Sequence, residues 1–221
     1  MNKFVWNMRY PDATTFPGII MWAGGVQGPR IAPGHYEVKL TADGKTQTAG
    51  FEVKADPRLT TTPEDYAKQL SLALQLRDKL SETNGAVVRI REVRRQLEEF
   101  TKRDDKKVAE AAKALIAKLT AIEEDLYQTK NRASEDPLNF PIKLNNKIAY
   151  VLGTVSNSES QPTSQSYVVY EDLATQVNAK IRALNGVMSE DVAQFNKTVR
   201  DANVPVIVVP KDAKQPPEPS R

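Results

Sequence analysis

Cysteine is absent from this sequence, and histidine occurs once, as His35. The first absence removes disulfides and thiolate chemistry, and leaves both the cytosol and a bacterial extracytoplasmic compartment open. With a single imidazole and no thiolate, the donor sets preferred by zinc are also missing, and only weak carboxylate sites remain. No metal and no cofactor are therefore expected. Long apolar runs are lacking as well: none approaches the roughly 20 residues that cross a bilayer, so no membrane span is expected. Met1 is followed by Asn2, Lys3, Phe4 and Val5 without a signal-peptide pattern, which places any export signal upstream. An excess of one charge is lacking too. The 31 basic and 28 acidic side chains are interspersed, and a net charge of +3 makes no field that would gather nucleic acid.

What is present suits a folded protein with a core, with 40% hydrophobic and 27% charged residues. Composition shifts sharply near Asp56-Pro57. Residues 1–58 are rich in Gly, Pro, aromatic and β-branched side chains, whereas the following stretch is rich in Ala, Leu, Lys, Glu and Arg. The division expected is a β part over 1–58, a helical bundle over 59–203, a separate apolar run over 204–209 and a disordered tail over 210–221.

In the β part, Phe4 to Arg9 alternates like a half-buried strand, and Ile19 to Trp22 reads as a further short strand within a Pro- and Gly-rich loop. The strongest local signal is residues 33–53, where Tyr36, Val38 and Leu40 share one face and Asp43-Gly44 supplies a type I′ hairpin turn. Three or four strands fall short of the about seven of an immunoglobulin-like sandwich.

The helical part starts with Thr62-Pro63-Glu64-Asp65, an N-cap followed by proline and acids that suit the helix dipole. Leu72, Leu76, Leu80, Val87, Ile90, Val93, Leu97 and Phe100 then keep helical spacing, interrupted at Asn84-Gly85. A second helix carries a heptad seam of Val108, Ala112, Leu115, Leu119, Ile122 and Leu126. A third is expected over 142–156. A fourth, capped by Thr163, either continues or restarts at Ser189. The fold class expected is mainly α within α+β: a partial immunoglobulin-like sandwich followed by an up-down bundle of long helices. The run from Val204 to Val209 either returns to the β part as a strand or packs along the bundle.

Several residues invite a chemical reading. Structural or exposed is the expected role of His35, which sits beside a turn glycine with nothing to activate a serine. The carboxylates Glu98-Glu99, Asp104-Asp105 and Glu123-Glu124-Asp125 evoke a glycosidase pair, yet they fall among Lys and Arg on helix faces or turns, as solvated charges do. Arg89, Arg91, Arg94 and Arg95 form a basic cluster that Glu92, Glu98 and Glu99 answer at helical spacings, which favours a salt-bridged face over an anion site. Tyr127, Asn131, Asn139, Phe140, Asn145 and Asn146 gather near one helix connection, where Asn side chains commonly satisfy loop backbone. Trp6, Tyr10, Phe16 and Trp22 form a candidate sugar-stacking set. Packing is expected for Trp6, while Trp22 stands open between packing and ligand contact. Trp6, Tyr10 and Trp22 are the candidate ligand-binding residues; no catalytic residue is assigned.

The segments FVWNMRYPD and PGHYEVKLTADGKTQTAGFEVKADPR resemble the immunoglobulin-like domain near the C-terminus of large bacterial glycosyl-hydrolase-type proteins, whose sialidase-like, sortilin-like propeller carries Asp-box repeats. RDKLSETN, IREVRRQLEEF and LTAIEEDLYQTKNRASEDPLNFPIKLNNKIA are similar to the helical tail of the same proteins, so the resemblance spans nearly the whole chain. It implies a secreted or periplasmic multidomain parent, with the propeller and the first sandwich strands upstream. The propeller and its Asp boxes have no counterpart in this sequence. The implied role is a non-catalytic accessory module partnered by that propeller or by another protein. Two alternatives stand beside it: a carbohydrate-binding module using the aromatics of the β part, and a part of a glycosidase that contributes to its substrate site.

Overall fold

The computed structural model describes residues 3–201 and 206–210. Among these, one antiparallel hairpin joins a bundle of long helices. The hairpin is β1 (Gly34–Ala42) and β2 (Lys45–Val53), in the register Tyr36 opposite Phe51, Val38 opposite Ala49 and Leu40 opposite Gln47. Asp43 and Gly44 both take positive φ, 51° and 73°, as the expected turn requires. The bundle comprises α1 (Pro63–Glu98), α2 (Lys106–Leu126), α3 (Leu144–Asn157) and α4 (Ser164–Gly186). The last continues through a π turn (Val187–Asp191) into α5 (Val192–Asp201).

The starts of α1, α2 and α4 follow their local chemistry. Thr62 and Asp65 form a reciprocal capping box ahead of Pro63. Asp105 accepts from the amides of Lys107 and Val108, and Thr163 accepts from Ser166. The result for α1 is 36 residues, about 54 Å at about 1.5 Å per residue. Asn84-Gly85 does not interrupt it. Asn84 is fully buried and turned inward, and a Cβ on Gly85 would meet no atom within 4 Å. Gly85→Ala is accordingly expected to stabilise the chain by about 0.5–1 kcal/mol, read as a higher denaturation midpoint at unchanged slope.

One continuous core runs between the helices, from Leu72, Leu76 and Leu80 on α1 through Leu119 and Leu126 on α2 to Ile148 and Leu152 on α3 and Val177 and Leu184 on α4. Phe100 meets Phe195 edge-on at 5.2 Å where α1 ends beside α5. Ala13 and Phe16 belong to the same core, although they stand on the N-terminal side of the composition shift.

Residues 8–31 form a strap over the bundle and contribute no second sheet. Its two arms hold one another by backbone bonds such as Tyr10 N to Pro29 O and Ala13 N to Val26 O, at 2.9 and 2.7 Å. Its bundle-facing side is gripped by side chains of α1. Arg77 donates to Pro11 O, Ser81 accepts from Thr14 N, and Asn84 donates to Thr14 O. Gly24 lies so close to α3 that a Cβ would come within 2.8 Å of the Ala149 and Tyr150 backbone.

Two expected strands are corrected among the described residues. Phe4 to Arg9 is not a strand; its one bridge, Arg9 to Arg30, closes the strap. Ile19 to Trp22 is not a strand either, because its backbone is tied to Tyr127 and Asn146 side chains instead of to a ladder. Of the partial immunoglobulin-like sandwich that was expected, the described residues form one two-stranded antiparallel sheet. Of the run at 204–209, Val204 and Pro205 lie outside the described residues. Ile207 is buried on the bundle, where its amide and carbonyl bond Asn196 and those of Val208 bond Gln96. The tail expected beyond Pro210 also lies outside the described residues.

Three exposed-loop or cap carboxylates link fold to pH. Asp56 is held below the usual carboxylate range by the Arg58 side chain and then its amide. Thr62's side chain and amide do the same for Asp65, and the amides of Arg132 and Ala133 for Asp136. The unfolded chain therefore takes up these protons first on acidification. Stability is full above about pH 4, the unfolded carboxylate range, and falls as pH drops through it and through the lower folded values. Denaturant titrations across that window should show the decline; a flat profile down to about pH 2.5 would contradict it.

Candidate functional site

The two faces of the hairpin differ. His35, Glu37, Lys39 and Thr41 point one way, opposite Glu52, Gly50, Thr48 and Thr46, and make a polar face. Tyr36, Val38 and Leu40 point the other way with Phe51 and Ala49. This second face is apolar but uncovered: Val38 is 52% exposed and Leu40 63%. Only its base is sheltered. Tyr36 stacks on Phe51 at 5.8 Å, and Trp6 sits edge-on to both at 6.3 and 6.4 Å. Tyr36 donates its hydroxyl to Ala32 O at 2.6 Å, and burial beside Tyr10 raises its pKa. Both outer edges of the hairpin are without a neighbouring strand among the described residues.

The candidate aromatic set is divided by the fold. Trp6 and Tyr10 line one open recess of about 460 Å³ together with Arg9 and Asp12. Trp22 is elsewhere, its amide and carbonyl both clipped by Asn146 at 2.7 Å, with its side chain partly open to solvent. Phe16 is buried edge-on against Tyr127 at 5.0 Å. Of the asparagine cluster, Tyr127 and Asn146 bond the strap and Asn145 supports Asn84 beneath it. Tyr127 donates to Gly18 O and accepts from Ile20 N, and Asn145 donates to Asn84.

A crevice of about 520 Å³ lies where the hairpin stem meets the ends of α1 and α3, lined by Val53, Asp56, Arg58, Tyr66, Gln69 and Glu159 among others. Asp56 is occupied by Arg58 through paired bonds. Glu159 accepts from Tyr66 at 3.4 Å, and burial with that neighbouring charge raises the Tyr66 pKa. The two carboxylates of this crevice, Asp56 and Glu159, thus each accept from a neighbouring side chain.

Glu123, expected among the solvated charges of a helix face, is instead buried between two arginines. It is 1% exposed, and accepts from Arg91 Nε at 2.7 Å and from Arg94 Nη1 at 2.6 Å. Arg91 in turn stacks over Phe16 and Tyr127, at 4.6 and 5.3 Å. The remaining carboxylates picked from the sequence are peripheral: Glu98, Glu99, Asp104 and Glu124 are exposed, Asp105 caps α2, and Asp125 pairs with Lys180. His35 is exposed across from Glu52. Among the described residues no three His, Cys, Asp or Glu side chains gather to hold a metal ion, and no helix is long and apolar enough to cross a membrane.

No protein-family model matches the chain, and no curated protein or solved structure matches it either.

Proposed function

We propose that this chain is a non-catalytic structural and interaction module, in which the helical bundle presents a hairpin that becomes part of a larger sheet. The carrying observation is the uncovered outer part of the apolar face, at Val38 and Leu40, on a sheet of two strands. A lone hairpin is marginal in water, and a sheet with one apolar face normally buries it against a second layer about 10 Å away. The covering layer in this reading comes from strands upstream in a larger secreted, sialidase-like parent. The resemblance of the sequence motifs supports that source. The strapped helices act as a rigid base that sets the hairpin's direction.

The test is to co-express the chain with the polypeptide encoded directly upstream in frame. Co-purification as one complex is expected, and Val38→Lys with Leu40→Lys should abolish it while the chain alone keeps its helical spectrum. Separate elution of the wild-type pieces would overturn the reading.

A second reading, a carbohydrate-binding module, is favoured by the shared recess of Trp6 and Tyr10 beside Arg9 and Asp12. Titration against a glycan panel with tryptophan fluorescence tests it. A response lost in Trp6→Ala supports it, and no response across the panel discards it.

A further inference from the structure

The recess over Glu123 lies apart from the hairpin and is independent of the function proposed above. It encloses about 460 Å³ and is lined by Arg91, Arg94, Arg95, Arg132 and Glu98, with hydroxyls from Thr120 and Thr129. Glu123 at its floor fixes two guanidiniums without exhausting them. Each spends one nitrogen on that carboxylate, and a guanidinium presents a fork of donors on three. Arg94 Nε is buried out of a ligand's reach, so the donors that Arg94 offers the recess are those of its Nη atoms. Arg132 is held nearby through bonds from its Nη1 to the carbonyls of Thr129 and Asn131. Arg95 is answered by Glu92 at 2.7 Å. The lining itself sets four guanidiniums against two carboxylates, Glu98 and Glu123, while Glu92 answers Arg95 and Asp136 lies beside Arg132 from outside it.

We propose that this recess binds a compact oxyanion of the phosphate class. Planar guanidinium forks match the oxygens of such an anion in paired bonds, and a lysine ammonium does not reproduce that geometry. The forks are already oriented, Arg91 by Glu123 and two aromatic rings and Arg94 by Glu123, so little side-chain freedom is lost on binding. Glu98 lines the same recess with an exposed carboxylate, which opposes the anion.

Calorimetric titration of the full chain with inorganic phosphate, against sodium chloride at matched ionic strength, tests the assignment. Saturable binding of one phosphate per chain is expected. Arg94→Lys keeps a cation beside Glu123 but removes the fork, and should weaken binding about tenfold. Glu98→Gln, an exposed change that does not threaten folding, should tighten it by about threefold. Heats equal to the chloride control, or an affinity unmoved by Glu98→Gln, would overturn the proposal.

Discussion

Phe16→Ala lowers the unfolding free energy of the whole chain by about 3–5 kcal/mol, the range for truncating a buried aromatic. Phe16 stands before the hairpin in a segment rich in glycine and proline, where a surface loop would tolerate the change at little cost. Its ring is 5% exposed, meets Tyr127 edge-on and lies under the Arg91 guanidinium. Removing it opens a cavity that the strap closes poorly, because Thr14, Gly18 and Trp22 on either side are pinned to α1, α2 and α3. The loss should appear equally in tyrosine and tryptophan signals and in helical circular dichroism, as one transition. A change below about 1 kcal/mol would show that the strap is not part of the core.

The second large effect is expected at Glu123. Breaking a fully buried ion pair by removing one partner costs about 3–5 kcal/mol, since the surviving charge is left without compensation. Here the surviving arginine side chains are 37% and 27% exposed, so water offsets part of the penalty and Glu123→Ala should cost about 2–3 kcal/mol. Arg91→Ala should be harsher than Arg94→Ala, because only Arg91 also covers Phe16 and Tyr127. Chemical denaturation of the three variants orders them. Equal, near-zero costs would return the cluster to an ordinary solvated face.

Local, repetitive signals were legible in the sequence. Tyr36, Val38 and Leu40 alternate toward an Asp-Gly turn, and the hairpin forms in that register. Thr62 to Asp65 announces α1, and the leucine stripes become the core. Non-local chemistry was hidden. Phe4 to Arg9 alternates convincingly, but a strand needs a ladder partner, and only Arg30 bridges it. Asn84-Gly85 reads as a helix breaker, yet Asn84 is retained inside because Thr14 and Asn145 satisfy its amide across the fold. Glu123 follows Ile122 in the expected heptad seam. The helix turns at 3.6 residues, so position 123 enters the core after Leu119, and its charge is admitted because Arg91 and Arg94 meet it there. Of the candidate ligand residues, adjacency of Trp6 and Tyr10 follows from the strap's closure, which no spacing in the sequence reveals.

Amide hydrogen exchange on the chain alone probes the central claim most directly, because it separates a self-sufficient bundle from a hairpin that awaits its second layer. Amides of Val38, Leu40, Thr48 and Ala49 should exchange orders of magnitude faster than those of Leu76, Leu80, Ile90 and Ile148, and under the proposed function should slow when a polypeptide supplying the covering strands is added. Hairpin protection equal to that of the long helices in the isolated chain would contradict the account.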